Sequence, residues 1–330
     1  MHKSVSCGLF LVVAALVVGQ ESAGVLERHA DSEAVVFERR GDLYAVAVDG
    51  SRKVQLTRTG TLELHPAVSD DGRSIAFTQP PRGARYYGGT GWPDFASRGR
   101  IWAMTADGKR RRSLTRGDDY GPAWSPDGDT VYFSHDVPLG RFGVECPVIF
   151  RARTSGRDLR RVTRLGGGQY DAAVSPGGGR IAFTWSSGCE GGTVTFALGV
   201  VDASGRPTGD LAQLPGNASF SYGDAEYSNP TWAPDGSRLA FEGAVPRGGN
   251  GIFVANLDGS GRRRVTPGGA GSPAWSPDGE WIAYVSHGDV YVTRPDGTGR
   301  RRLTRTKQGA YPTFRGLENA PAWLPRMPTG

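Results

Sequence analysis

The chain has 330 residues, 38% of them hydrophobic, with 50 Gly, 22 Pro and a formal net charge of +6. That much apolar material excludes a disordered chain, and that much Gly and Pro points to many short strands joined by turns. Lys3, Lys53, Lys109 and Lys307 are the only lysines, so the positive charge is almost all Arg; a moderately basic surface suits acidic partners, and an Arg-biased codon usage gives the same composition.

The N-terminus reads as an export signal over residues 1–24. Lys3 precedes the unbroken apolar run Leu9 to Val18, and small residues follow at Gly19, Ser22, Ala23 and Gly24. The run is too short to cross a bilayer comfortably, so cleavage is expected over anchoring. Cys7 precedes the run and is wrongly placed for lipid attachment. Residues 25–330 are expected to form the exported domain, secreted or periplasmic, with no membrane span left after cleavage.

From there a single phrase recurs. It reads Pro122-Ala-Trp-Ser-Pro-Asp-Gly128, Pro230-Thr-Trp-Ala-Pro-Asp-Gly236 and Pro273-Ala-Trp-Ser-Pro-Asp-Gly279. Weaker copies are Pro66 to Gly72 and Ala172 to Gly178, and Pro321-Ala-Trp-Leu-Pro325 is a final fragment. The repeat origins are 43 to 58 residues apart by subtraction, which fits four-stranded propeller blades with loop insertions. In the plainest unit, strand A is Pro273 to Ser276 and Pro277-Asp278-Gly279 turns the chain. Strands B and C are Trp281 to Val285 and Asp289 to Thr293. A second turn at Asp296-Gly297 leads to strand D, Arg301 to Thr304. The first unit, Ala34 to Thr57, lacks strand A, and Pro321 to Leu324 supplies only strand A. The spacing therefore predicts an all-β, six-bladed propeller of antiparallel four-stranded blades, closed by the C-terminal strand on the N-terminal blade, which removes the open sheet edges.

At these residues the chain resembles the TolB-type WD40-like β-propeller family. The shared pattern is Pro-x-Trp-Ser-Pro-Asp-Gly, Ile-Ala-Phe/Tyr, Ile/Val-Tyr/Phe-Val, Asp-Gly and Arg-Arg-Leu-Thr, and it covers the chain from about residue 34 onward. The resemblance implies the fold; members include periplasmic scaffolds that bind proteins, propellers fused to prolyl-oligopeptidase-type hydrolases, and some lyases. Blade three departs from the pattern: Gly177 replaces the turn Asp, and Gly209 to Pro215 lacks the Leu-Thr ending.

Strands alternate in direction, so the A–B and C–D turns share one end of the ring and the B–C and D–A connections share the other. The insertions fall on the second end: Gln79 to Gly99, His135 to Pro147, Ser186 to Thr193, Pro215 to Ser228 and Arg305 to Asn319. Their aromatics, Tyr86, Tyr87, Trp92, Phe142, Tyr222, Tyr227 and Tyr311 among them, are candidates for contact with a partner protein, peptide or small or anionic ligand. The same rings could equally pin the loops onto the blades. Residues just before each strand A, namely Glu63, His65, Asp119, Asp171, Asn229 and Glu318, are expected to ring the channel mouth. They could hold Ca²⁺ through oxygen ligands or solvate a water-filled channel; without an Asp-x-Asp-x-Asp loop the second reading is preferred, and no cofactor is expected.

Chemistry is weakly signalled. An alternative reading makes the chain a metal-assisted lyase or lactonase-like enzyme using His65, His135, Asp171 and His287, but no metal-ligand spacing joins them. No Gly-x-Ser-x-Gly elbow or phosphate-binding loop is present. The Arg clusters of the strand D positions read as edge protection, and nucleic acid is not expected. Cys146 and Cys189, in the B–C insertions of adjacent blades, are expected to form a disulfide. The preferred function is a monomeric, non-catalytic binding or scaffold module.

Overall fold

The computed structural model describes residues 33–82, 99–117, 119–138, 145–190, 195–210, 226–245, 249–305 and 321–328. Six antiparallel sheets surround an axis. Blade six opens the chain with β1 (Ala34–Arg39), β2 (Asp42–Ala47) and β3 (Lys53–Gln55). Blade one is β4 (Leu64–Val68), β5 (Ser74–Gln79), β6 (Arg100–Thr105) and β7 (Arg112–Ser113). Blade two is β8 (Asp119–Trp124), β9 (Thr130–Pro138), β10 (Glu145–Arg153) and β11 (Arg160–Arg161). Blade three is β12 (Gly168–Val174), β13 (Arg180–Ser186) and β14 (Phe196–Asp202), with the bridge Val201–Pro207 where other blades have a fourth strand. Blade four is β15 (Glu226–Trp232), β16 (Arg238–Val245), β17 (Gly249–Asn256) and β18 (Arg263–Arg264), and blade five is β19 (Ala270–Trp275), β20 (Ile282–Ser286), β21 (Asp289–Thr293) and β22 (Arg301–Arg302).

The ring closes as the repeat predicts. The last strand, β23 (Ala322–Leu324), pairs antiparallel with β1, setting Ala34 opposite Leu324, Val35 opposite Trp323 and Val36 opposite Ala322. Blade six is thus built from both ends of the described chain, in the order β23-β1-β2-β3.

Each element of the repeated phrase has a mechanical role. The strand A tryptophan reaches back to the preceding blade: the Nε1–H of Trp124 donates to the Ala67 carbonyl at 3.0 Å, Trp232 to Ala173 at 3.0 Å and Trp323 to Ala274 at 2.8 Å. Ser of the turn accepts the first N–H of strand B for Ser69, Ser125 and Ser175, and the N–H of Trp281 just before it for Ser276, at 2.9–3.0 Å. The turn closes on Gly72, Gly128, Gly178, Gly236 and Gly279, all at positive φ, which Gly adopts without strain. Blade three keeps this geometry although Gly177 has replaced the Asp.

The Leu/Val-Thr ending is a clasp. Thr57, Thr115, Thr163, Thr266 and Thr304 each accept a strand C N–H through Oγ1 at 2.8–3.0 Å. The preceding Leu or Val is buried. Strand B is apolar on both faces because blades pack against it from either side: Ile75, Phe77, Phe133, Ile181, Phe241 and Ile282 are buried, each contributing about 1.5–3 kcal/mol of burial.

Candidate functional site

The two ends of the ring differ in construction. At one end the A–B and C–D connections are uniform, five to seven residues each. At the other they range from two residues, His287-Gly288, to the twenty between β5 and β6. The insertions do fall on this second end. Blades two and four lengthen their central hairpins there, so His135 and Cys146 lie within β9 and β10 and not in a loop. Tyr86, Tyr87, Trp92, Phe142, Tyr222, Tyr311 and Glu318 lie outside the described residues, as does the expected export signal.

The channel mouth at the loop-bearing end is a ring of bulges. Strand A gains one residue against strand B in blades one to five. The bulged residue is left-handed in each: His65, Gly121, Asp171, Asn229 and Ser272, with φ of 51–62°. Such a conformation is uncommon outside Gly, Asn and Asp, so its recurrence marks a conformation imposed by the blade. Hydroxyls of strand B support it across the blade boundary. Thr78 accepts the Gly121 N–H at 3.1 Å, and Thr184 accepts the Asn229 N–H at 3.0 Å.

Of the expected mouth residues, His65, Asp171 and Asn229 occupy this ring. His65 Nδ1 lies 3.4 Å from Thr78 Oγ1. Asp171 Oδ2 accepts from Thr184 Oγ1 at 3.0 Å, and burial, opposed by that bond and reinforced by the Glu242 charge, pushes its carboxyl up to about 6. Asn229 and Asn250 both donate to Glu242, at 3.3 and 3.1 Å. Thr78, Thr184, Glu242 and Asn250 were not anticipated. For Thr78, Thr184 and Glu242 the signal is a polar residue directly after the Phe of strand B, as also at Ser134; Asn250, on strand C, has no such signal.

Glu63, Asp119 and Tyr227 stand elsewhere. All three are buried, and they share one position, two residues before the bulged residue. Glu63 pairs with Arg111 at 2.5 Å and accepts from Thr57 and Thr59. Asp119 meets His135 Nδ1 at 2.7 Å. Tyr227 packs on Phe241 and receives Arg262 at its hydroxyl. They do not line an open mouth, and Tyr227 offers no ring to a partner. Glu63 and Asp119 were expected at the channel mouth and Tyr227 on a partner surface; here each is buried and bonded to side chains of its own blade, and Glu63 also holds Thr57 and Thr59 of the crossover that leads into blade one. This also turns part of the Arg belt inward, since Arg111 lies over the Phe77 and Trp102 rings and Arg262 over Phe253.

The histidines of the catalytic alternative are spread over three blades. His135 is half-buried against Phe150. His287 is exposed in a two-residue turn, its Nδ1 2.9 Å from Ser286 Oγ. Among the described residues no group of three or more His, Cys, Asp or Glu side chains has the geometry to hold a metal ion. Cys146 and Cys189 are both buried, and the structure draws no disulfide between them. Burial, then the charges of Cys189, Asp136, Asp171 and Cys146, raise the Tyr170 hydroxyl well above its ordinary range.

Comparison with known proteins agrees with this architecture. The Tol-Pal system protein TolB of Alcanivorax borkumensis is 40% identical over 57 residues, 17% of this chain and 13% of that protein. A TolB homolog of Chlorobium luteolum is 30% identical over 122 residues, 28% of each chain. The crystal structure of TolB from Acinetobacter baumannii superposes with a TM-score of 0.62 at 18% identity, over 90% of this chain and 67% of that one. The chain spans less than half the length of the curated relatives it matches, and no family model matches it. By its repeat, its blade geometry and its closing strand, this chain carries a β-propeller of the TolB type.

Proposed function

We propose that the protein is an exported, periplasmic, non-catalytic binding module that recognises a partner protein on the loop-bearing end of the ring. The observation that carries this is the asymmetry of the two ends. One end is held to uniform short turns, while the other bears every long connection on a rigid frame, which is where recognition surfaces concentrate. Its mouth is polar but knitted together: His65, Asp171 and Asn229 each have a hydrogen-bond partner in the wall. That suits a scaffold better than a reacting centre. The relatives named for the Tol-Pal system support a protein partner, and the N-terminal basic-apolar-small pattern supports export. In an oxidising compartment Cys146 and Cys189, both buried, would be joined and would staple the B–C connections of blades two and three. Affinity capture from the exported proteins of the source organism, followed by Trp92→Ala and Tyr222→Ala in the captured complex, tests the reading. Loss of capture supports it; unchanged capture by both variants contradicts it.

A further inference from the structure

The outer strand of each blade is a sheet edge, and in blade five its arginines are held ready and unmatched. Trp281, just before β20, carries two of them: the guanidinium carbon of Arg301 lies 4.7 Å from a Trp281 ring centroid and that of Arg294 5.3 Å. The two cations therefore stand no more than about 10 Å apart. Both residues are exposed, and neither guanidinium has a hydrogen-bond or ion-pair partner among the described residues. Stacking on the ring orders them before any ligand arrives.

The equivalent arginines of other blades are occupied. Arg112 donates to the Thr154 carbonyl of the next blade, and Arg160 pairs with Asp158. In blade four the residues on either side of Arg263, Arg262 and Arg264, take the Phe253 ring. The carboxylates of blade five do not fill the gap. Asp296 accepts from the Thr298 N–H and Oγ1 at 2.8 and 2.6 Å, and Asp289 takes Arg302.

The edge beside this pair is open. β22 bonds only to β21. Leu303 donates to the Val290 carbonyl, and Arg301 stands opposite Val292. By the alternation of an antiparallel ladder, Arg301 and Leu303 face β21, and the Arg302 N–H and C=O face outward. Gly299, at φ 65°, leaves the ring uncovered next to the edge: a Cβ there would lie 3.2 Å from Trp281 and 3.4 Å from Arg294. Blades one and two have Arg110 and Asp158 at this left-handed position.

We propose that the β22 edge takes an extended acidic segment of a partner protein as a fifth strand. An extended main chain is what an unpaired edge binds, here through Arg302. Residues i and i+2 of a strand share a face about 7 Å apart. Two carboxylates at that spacing meet Arg301 and, over the bare Gly299, Arg294. A second copy of this chain does not fit, because pairing two such edges sets arginine against arginine. The edge is on the outer rim, apart from the long connections, so it stands or falls separately from the recognition surface proposed above.

Titration of the full chain with acetyl-Thr-Glu-Val-Glu-Thr-amide, followed by the Trp281 indole NH signal, tests this. Saturable binding that weakens with added salt is expected. The peptide with Gln for both Glu should bind at least about fivefold more weakly. Acetyl-Thr-Glu-Glu-Val-Thr-amide has the same charge but puts its carboxylates on opposite faces, and should lose about two- to fivefold. N-methylation of both threonines and the valine, which removes the donors aimed at the edge, should cost about three- to tenfold. R294A and R301A should each lose about two- to fivefold, as for one exposed ion pair. R206A, which removes an exposed arginine from a turn of blade three, should bind as the parent does. No saturation, with or without capture by phosphatidylglycerol vesicles, would overturn the proposal. So would equal binding of the glutamine, reordered or N-methylated peptide, the same loss in R206A, or parental affinity in the R294A/R301A double variant with an unchanged melting profile.

Discussion

Removing the closing strand should unfold the ring. Trp323, Leu324 and Met327 are 6%, 1% and 3% exposed, and burying side chains of this size contributes about 1.5–3 kcal/mol each. Deletion of residues 321–330 therefore removes roughly 5–9 kcal/mol of burial, comparable with the whole net stability of about 5–15 kcal/mol. It also exposes the edge of β1, whose Val35 and Val36 are fully buried, and free apolar edges aggregate. Single substitutions grade the effect. Trp323→Ala should cost about 3–5 kcal/mol, because the indole packs with Val35 and Val46 of blade six and Val290 and Val292 of blade five. Trp323→Phe keeps most of that contact but leaves the Ala274 carbonyl without its donor, at roughly 1–3 kcal/mol. Denaturant unfolding with size-exclusion chromatography measures both. A truncated protein that stays monomeric with an unchanged midpoint would refute closure by this strand.

Three further outcomes are expected. Asp171→Asn copies the residue that blade four has at the equivalent left-handed position, Asn229. The Asp171 carboxyl is raised in the folded state, from 3.8 to about 6; its contribution is full below the unfolded value and is lost as pH rises through about 6. The variant should thus gain stability over the parent, at most ~3 kcal/mol, on raising the pH from 4 to 7; parallel pH–stability profiles would contradict this. Glu63→Ala, which strands Arg111 against two aromatic rings, should destabilise by about 3–5 kcal/mol, whereas Asp235→Ala on an exposed turn should change denaturation little; equal effects would show that the Glu63 joint is not load-carrying. Thiol titration of denatured, unreduced protein should find no reactive Cys146 or Cys189 in the exported form, and two thiols per chain would refute the staple.

The architecture was legible because the repeat writes its turns and strand stops in residue types with narrow roles. Gly at each turn needs positive φ, and the incomplete first and last units fit only each other. The tryptophan's reach across the blade boundary was not legible, since one repeat copy cannot reveal what its neighbour offers. The burial of Glu63, Asp119 and Tyr227 was not legible for a related reason. They stand two residues before the bulged His65, Gly121 and Asn229, and the bulge sets them apart from the mouth; a bulge leaves no mark in the sequence where its residue is not Gly or Asn. The polar residue after each strand B phenylalanine was visible in sequence. Its meaning depends on the left-handed residue of the next blade, which only the fold brings within reach.

The central claim is that the loop-bearing end, and not a reacting centre at the mouth, does the work. Alanine scanning of the long connections, with affinity for the captured exported partner measured for each variant, tests it most directly. The account predicts that variants at Trp92, Tyr222 and neighbouring aromatics lose at least about tenfold in affinity, as interface hot spots do, while His65→Ala leaves binding intact. Affinity untouched across every long connection would contradict it.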